Sequence, residues 1–514
     1  MDVSRRETAT ALAAGCAAVA GSFALAGRTP AFVVAPVAGF VVDATPGVVS
    51  ATAIQELGDW SQRLAFAAAA LLAAGLFAGV ALAAVRLGRR SEVPYTPVAV
   101  ALVGSWLLAV ASTAAPSQSL AAAIPPAVVV AVAEREWGVG RRRARVSASR
   151  RKTLAALGTL AGFVGFAGAR GRTITGAEPG SVADVTDAGT EREADRLLAR
   201  AGEQSMGVSG LSGLVTPIEE FYEVDINNVD PNPSDDRWDL TVTGAVDETV
   251  TVGFEELAGM DDAVEHRFVT LRCVGESLNG EKMDTALWTG VPVARLLDRA
   301  GVAASSADDE SSEDGGAECC VLVRAVDDYY QEFPLSALED AFLAFGMNGR
   351  RLPREHGYPV RLLVPGHWGE INVKWVTEIE VLTEQQEGYW EKRGWHGTGP
   401  VETVAKLHAV NRSAREDGDG ERVTVGGHAY AGTRGIRTVE VSTDGGETWA
   451  EADLSERLPG SDVWRQWRYA WDAPPGDHDV VVRAIDGEGR VQPEEFSDPY
   501  PSGATGWVTR TVEV

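Results

Sequence analysis

The chain reads as multidomain: an α-helical membrane front, an α+β body and a C-terminal β-sandwich. Three observations predict this order. Long apolar runs crowd the first third, strand-like and helix-like stretches alternate irregularly between residues 214 and 400, and short strand-like stretches recur at even spacing from 401 onward. At 514 residues the chain is also too long for one compact domain.

Apolar runs at 9–27, 64–85 and 97–115 are each long enough to cross a bilayer as a helix. The run at 120–133 is shorter and carries Pro125 and Pro126, and a further run fills 153–169. Charge orders them. Arg5 and Arg6, "RLGRR" at 86–90, and "RRRAR" with "SRRK" at 141–152 belong on the cytoplasmic side. That holds only if 120–133 crosses while "PAFVVAPVAGFVVDATPGVV" at 30–49, broken by Asp43 and prolines, stays re-entrant or interfacial. The expectation is about five spans within residues 1–172, in a multi-pass protein of the cell membrane whose remainder lies outside the cytoplasm. The paired arginine ahead of "TLAALGTLAGFVGFAG" fits a twin-arginine export signal and equally the anchoring of the last span. All seven histidines lie beyond residue 265, and the apolar runs carry no charge. The front therefore offers neither a bis-histidine haem site nor a transport pathway, and reads as an anchor or a docking surface for a partner.

Residues 173–213, rich in Gly, Ala, Ser, Thr and acid, read as a linker with a short helix at "EREADRLLAR". In the body, "WDLTVTG" and "VTLRCV" have strand character, "GVPVARLLDRAG" has helical spacing with a glycine stop, and "ADDESSEDGGAE" at 307–318 is an exposed acidic loop. "YPVRLLVPG" and "INVKWVTEIEVL" return to strands, so 214–400 is α+β rather than a βαβ repeat. Beyond 401, "RVTVGGHAY", "IRTVEVSTDGGETWAEA", "WRQWRYAW", "HDVVVRAIDGEGRVQ" and "GWVTRTVEV" are short strands, with Asp444-Gly445 and Asp486-Gly487 as turns. An immunoglobulin-like β-sandwich of about 100 residues is expected over 401–514.

The formal charge of −27 is uneven: residues 1–172 hold 17 basic and 8 acidic groups, the rest 29 and 65. Only five lysines accompany 41 arginines. Such an acidic body fits a halophilic protein kept soluble in concentrated salt, and argues against nucleic acid as a partner. The four cysteines, at 16, 273, 319 and 320, make no disulfide framework. Cys319 and Cys320 open "CCVLVRAV" as small buried hydrophobes.

Cys273 stands apart, placed where "VTLRCV" leaves a strand and a glycine-containing turn begins. Around it the blocks "FYEVDINNVDP…WDLTVTG", "TLRCVGE…WTGVPVARLLDRAG", "AFLAFGMNGRRLPREHGYPVRLLVPGHWGEINVKWV" and "AGTRGIRTVEVSTDGGETWAEADL" follow in order. Together they resemble the sulfite oxidase-like molybdopterin-dependent oxidoreductases over roughly residues 214–514. The resemblance implies a molybdenum–molybdopterin cofactor with Cys273 as the metal ligand and catalytic centre, a soft thiolate joining the soft pterin dithiolene. It further implies that His356 and Arg361 of "HGYPVR", and Asn372, Val373 (through its backbone) and Lys374 of "NVKW", hold the pterin and its phosphate. The bland alternative puts Arg361 and Lys374 on outer strand faces, paired with acids. Asn227 and Asp327 fall near further cofactor contacts of the family. The same resemblance implies oxygen-atom transfer on a small-molecule substrate and a homodimer formed through the sandwich. With no C-x-x-C-H haem motif, electrons pass to or from a separate carrier.

Two departures bear on substrate. Sulfite-oxidising members carry an arginine in the segment matching "FYEVDIN", where this chain has Val224 or Asp225, and a pocket tyrosine at the place of Trp395. Arg272, His367 and His396 are candidates for replacement charge. A dianion is disfavoured by the exchange, so a sulfoxide or N-oxide reductase stands as the alternative. Outside this class stand a cofactor-less adhesion or receptor ectodomain, and a cysteine hydrolase using Cys273 and His356.

Overall fold

The computed structural model describes residues 5–45, 59–91, 95–140 and 180–514, together with Val49, Ala53, Leu57 and Val93; Asp187, Asn228, Asp261, Glu92 and the segments 303–319 and 415–420 are excepted. The expected span at 153–169, its twin-arginine stretch, Cys319 and the acidic loop at 307–318 lie outside the described residues. The chain divides into two units, Met1–Glu178 with Ile226–Asn232, and Pro179–Asp225 with Pro233–Val514.

The first unit contains α1 (Arg5–Ala26), α2 (Ala35–Ala44), α3 (Asp59–Gly88), α4 (Thr96–Thr113) and α5 (Leu120–Gly140). Three helical stretches among the described residues, Arg5–Ala26, Arg63–Gly88 and Thr96–Thr113, are long and apolar enough to cross a membrane, and Leu120–Glu134 is a shorter apolar helix. Leu71, Leu72, Leu76, Val103 and Leu107 face outward, Leu71 with 75% exposure, a pattern suited to lipid rather than water. The 30–49 stretch does not form a spanning helix. Its described residues turn at 27–34 and give α2, which starts at Ala35, one residue before Pro36, and runs through Asp43.

Small residues let these helices touch. A Cβ on Gly15 would collide with the carbonyl of Ala74, and one on Gly21 with the carbonyl of Ala121 and the ring of Pro125. The second approach has a local cause. Pro125 has no N–H for the Ala121 carbonyl, so α5 leaves an acceptor bare where α1 packs its glycine. The apolar run at 120–133, with Pro125 and Pro126 inside it, ends where Glu134 begins; in the structure the helix runs through both prolines and on to Gly140.

The second unit begins where a linker was expected. Residues 180–213 are instead packed, with α6 (Ala188–Gln204) burying Ala194 and Ala201. Met206 N–H donates to Gln466 Oε1 at 2.8 Å, Gln466 Nε2 to the Ser212 carbonyl at 2.7 Å, and Trp464 Nε1 to the Leu214 carbonyl at 2.9 Å. The stretch straps the C-terminal β region. The helix expected at "EREADRLLAR" is there, but longer and packed, with Ala194 and Ala201 buried and Leu197 and Leu198 half-buried.

Two sheets build the α+β part. In one, β2 (Val250–Gly253), β1 (Asp239–Gly244), β10 (Val376–Leu382), β5 (Cys320–Ala325) and β6 (Tyr330–Pro334) lie in that order, with β1 and β10 parallel. The other orders β3 (Glu265–Arg272), β4 (Met283–Pro292), β7 (Phe342–Met347) and β8 (Arg350–Arg351), with β9 (Arg361–Leu363) also on β7. Short helices α7 (Phe254–Ala258) and α8 (Ala294–Ala300) flank them, and α8 ends at Gly301 in the left-handed conformation that a glycine tolerates. Cys320 is buried at the head of β5 and is disulfide-bonded, so it is more than a small hydrophobe.

The C-terminal part is β-rich, with two antiparallel sheets. One orders β11 (Val404–Ala405), β13 (Glu421–Tyr430), β17 (Arg465–Ala473) and β16 (Asp453–Leu454), with β12 (Ala409–Ala414) on β13. The other orders β15 (Ala450–Glu451), β14 (Ile436–Ser442), β18 (Asp477–Asp486) and β19 (Val508–Glu513). This part locks onto β3. Trp464 N–H donates to Thr270 Oγ1 at 3.0 Å, and the Tyr430 hydroxyl to the Thr270 carbonyl at 3.1 Å.

Candidate active site

Cys273 is the first residue beyond β3, where the β3–β4 ladder ends at the Arg272–Met283 pair. Arg272 pins that end. Fully buried, it donates to the carbonyls of Glu402 at 3.0 Å and Ala504 at 3.1 Å and lies 4.7 Å over Trp368. It is therefore committed to packing rather than to replacing a substrate-binding charge. His367 is spent on the Pro365 carbonyl at 2.9 Å, and His396 is exposed.

Cys273 N–H donates to the Lys282 carbonyl at 3.0 Å, closing a short loop. Within it, Glu276 receives Lys406 Nζ at 2.6 Å and the Lys282 N–H, while Lys406 also donates to the Gly280 carbonyl at 2.9 Å. Arg272 Nε stands 3.7 Å from the other Glu276 oxygen. A buried carboxylate held by two buried cations thus fixes the loop that presents the sulfur. Cys273 is half-buried as a whole residue, with its thiol in surroundings that desolvate it. Desolvation pushes it up to about 11, with Lys282 opposing and Glu276 reinforcing the rise. It is a protonated thiol until a metal or a strong cation displaces the proton.

A cationic cradle has its own local logic. His356 ends a short 3-10 turn, and Gly357 follows at φ +114°, where a Cβ would stand 2.9 Å from Arg361 Cβ and 3.1 Å from Lys374 Cα. Glycine there lets "HGYPVR" and "NVKW" meet. Arg361 on β9 is buried, donates to the carbonyls of His356 (3.3 Å) and Asn372 (3.1 Å), and lies 5.4 Å over Trp288. Its Nε is buried with no hydrogen-bond partner among the described residues. Burial lowers Arg361 to about 10. Asn372 is locked, accepting from Val364 N–H at 2.7 Å and donating to the Trp368 carbonyl at 2.9 Å. The Val373 carbonyl accepts from Leu362 N–H at 2.8 Å. Lys374 Nζ donates to Asp225 Oδ2 at 2.7 Å and to the Glu355 carbonyl at 2.9 Å. Trp375, next in the chain, holds a left-handed φ of +52°, a strained setting for a bulky residue. The outer-face alternative holds in part: Lys374 does pair with an acid, while Arg361 is buried.

His356 is also buried, edge-on to Phe221 at 5.4 Å, with Nε2 3.4 Å from the Ile218 carbonyl. Burial, then Lys374 and Arg361, drives its pKa down to about 3, so it stays neutral and is no base for Cys273. Burial holds the Tyr222 hydroxyl well above its ordinary pKa, with Cys273 reinforcing and Arg361 opposing the rise, and its backbone N–H donates to Asp284 at 2.9 Å. Sequence reading missed Tyr222, Glu276 and Lys406, because their partners lie up to 130 residues away. Asp327 sits on the β5–β6 turn and accepts from Tyr329 N–H at 3.2 Å, next to Val326, whose N–H reaches the Trp375 carbonyl at 3.0 Å. Asn227 lies in Ile226–Asn232, the stretch that clusters with the first unit.

A cysteine at a strand end, with a buried guanidinium whose Nε has no partner among the described residues, a locked amide and a lysine in the same unit, suits a metal carried on a phosphorylated organic chelate. The comparisons agree. An oxidoreductase molybdopterin binding domain matches residues 227–390, and a Mo-co oxidoreductase dimerisation domain matches 399–500. The chain belongs to the sulfite oxidase-like family of molybdopterin oxidoreductases. It is similar to the mitochondrial sulfite oxidase of Homo sapiens, at 30% identity over 54% of this chain and 57% of that one. It is also similar to an NADH nitrate reductase of Spinacia oleracea, at 27% over 55% and 36%, and to the sulfite oxidase of Arabidopsis thaliana, at 25% over 56% and 85%. The match thus spans little more than half of the human relative. Among solved structures, the sulfane dehydrogenase SoxCD of Paracoccus pantotrophus matches at 21% identity and TM-score 0.48, over 59% of this chain and 82% of that one.

Proposed function

We propose that this chain is a membrane-anchored molybdenum-cofactor oxidoreductase that performs two-electron oxygen-atom transfer, with Cys273 as the protein ligand to the metal. The observation that carries the proposal is Cys273 at the end of β3, presented by a loop clamped through the buried Glu276–Lys406 pair, in the same unit as the buried Arg361. Molybdopterin would be held by Arg361, Asn372, Val373, Lys374 and His356, with Asp327 and Asn227 as outlying candidates, and would supply the redox chemistry. The protein's share is then to hold the thiolate, orient the phosphate and exclude water. Its N-terminal helices would anchor it as a multi-pass membrane protein, with the cofactor unit outside the cytoplasm and two copies paired through an immunoglobulin-like C-terminal sandwich. A separate carrier would take the electrons, and the acid excess beyond residue 172 favours work in high salt.

A second direction, reduction of a sulfoxide or N-oxide, has one specific observation behind it. At the place of the family's oxyanion-binding arginine stands Val224 or Asp225, and Asp225 is paired to Lys374. The test is metal analysis of the purified full chain with Cys273→Ser beside it. About one molybdenum per wild-type chain is expected, and the variant should lose turnover and change the electron paramagnetic spectrum of the metal while keeping its fold. Full activity in Cys273→Ser would refute the ligand assignment.

A further inference from the structure

Between Phe221 and Asp235 the described residues form no helix or strand, yet this stretch supplies Asp225, whose carboxylate takes Lys374 Nζ at 2.7 Å. Two buried apolar side chains fix it. Phe221, 3% exposed, lies in the core of the α+β part, edge-on to Trp288 at 5.8 Å. Val229, 8% exposed, lies in the first unit, to which Ile226–Asn232 belongs. Asp225 stands four positions from each and is the last residue before the chain crosses into that unit. Glu223 and Val224, just ahead of it, are exposed and offer it little packing.

Val229 has a built seat within the first unit. It joins one buried apolar cluster with Phe32, Val33, Ala69, Ala109 and Ala122. Ala69 lies early in α3, Ala109 late in α4 and Ala122 at the start of α5, so the cluster marks the end of the bundle that the arginine pattern predicts to lie outside the cytoplasm. The 27–34 turn supplies Phe32 and Val33 because it is pinned to α1. Val33 N–H donates to Ser22 Oγ at 3.2 Å, and Thr29 Oγ1 donates to the Ala26 carbonyl at 2.9 Å. Phe32 packs 5.4 Å from Phe23 and 6.4 Å from Phe66, and Arg28 caps Phe66 at 4.8 Å. A valine, stiff at χ1, is a compact plug for such a seat, and its burial holds down an otherwise polar loop.

We propose that the helical unit is more than an anchor: by seating Val229 it keeps Asp225 against Lys374, so that in the cofactor-free chain this lysine stays matched by a carboxylate until a phosphate competes for it. Val229 is then a positioning residue that acts through Asp225. With Val229 seated, Asp225 is tethered at short range on both sides. With Val229 released, Asp225 lies within one long irregular stretch, and its effective concentration at Lys374 falls by about threefold for each doubling of the free length. Because Asp225 and a phosphate bind the same ammonium, unseating the loop eases loading, and by linkage a bound phosphate loosens the seat. The part Lys374 plays in loading rests on the oxidoreductase reading; the hold of Val229 on the ion pair does not.

The test is amine acylation of the full chain, purified without cofactor, in wild type, Val229→Asp, Val229→Ala and Val229→Ile, with labelling read lysine by lysine by mass spectrometry. Only five lysines occur, and Lys406, buried against Glu276, is the internal control. Labelling of Lys374 should rise about threefold or more in Val229→Asp and less in Val229→Ala, with Lys406 unchanged, while Val229→Ile keeps the wild-type rate. In an Asp225→Asn background the dependence on residue 229 should vanish. Unchanged Lys374 labelling in Val229→Asp, or a dependence that survives Asp225→Asn, overturns the proposal. So does a rise of Lys374 only in step with Lys406 in both Val229→Asp and Val229→Ala, since that is unfolding and not a released loop. Molybdenum content of the same variants, grown with the metal, separates the two levels. A Lys374 response in a chain that never takes up molybdenum upholds the seat and sinks the oxidoreductase reading alone.

Discussion

Lys374 Nζ and Asp225 Oδ2 lie 2.7 Å apart in an almost buried ion pair, so the cation expected to meet a phosphate is already matched by a carboxylate of its own chain. The two compete. Lys374→Met should cut molybdenum content several-fold, because a point charge for the phosphate is lost. Asp225→Asn should instead destabilise the cofactor-free protein by about 3 kcal/mol, since it strands a buried ammonium, while cofactor loading persists. Metal analysis and denaturant midpoints on both variants check this. Full loading in Lys374→Met would remove that residue from the cofactor site.

Lys406 and Glu276 form a second buried pair, 2.6 Å apart, and Lys406 comes from the β-rich C-terminal part. Lys406→Met should cost about 3–5 kcal/mol, because Glu276 is left buried without its main partner. The double change Lys406→Met with Glu276→Leu should recover much of that loss. Faster amide exchange over residues 273–282 in the single variant would identify the clamp on the Cys273 loop; unchanged exchange would deny it.

Gly357→Ala should abolish cofactor retention and lower stability by about 2 kcal/mol or more, since a side chain at φ +114° is strained and would press on Arg361 and Lys374. Alanine at Gly399, where nothing lies within 4 Å, is the control and should be near neutral.

The contribution of two buried carboxyls to stability should fall as pH rises from about 4 to about 8. Burial raises Asp462 to about 7 and Glu370 to about 8, both above their unfolded values. A group raised in this way contributes stability that is complete below its unfolded pKa and is lost as pH passes through the folded one. The buried His356, lowered to about 3, acts in the opposite sense, and its contribution is lost only on acidification through the range between about 6.5 and 3. Asp462→Asn and Glu370→Gln should each flatten the alkaline decline in Tm, and an unchanged slope in both would refute the assignment.

Much of the site was legible one residue at a time. Cys273 stood out because a thiol at a strand exit, flanked by ordered blocks, is a local pattern, and the structure puts it at the end of β3. Arg361, Asn372, Val373 and Lys374 were read from two short motifs and do converge, because Gly357 allows the motifs to touch. The helix within 180–213 was expected but its packing was not, since its hydrogen bonds go to residues more than 250 positions away. Glu370 and Glu391 were passed over as ordinary acids, because nothing local distinguishes a carboxyl that will be buried from one that will be solvated.

What the sequence alone determined is whatever depends on neighbours along the chain: apolar runs long enough for membrane helices, alternation for strands, and the order of the motif blocks. Tertiary structure alone decided which charges lose their water. Asp225 against Lys374, Glu276 between Lys406 and Arg272, and Glu370 beside Glu391 all acquire their character from burial and from partners remote in sequence. Desolvation is a property of the folded surroundings, and no stretch of residues carries it in advance.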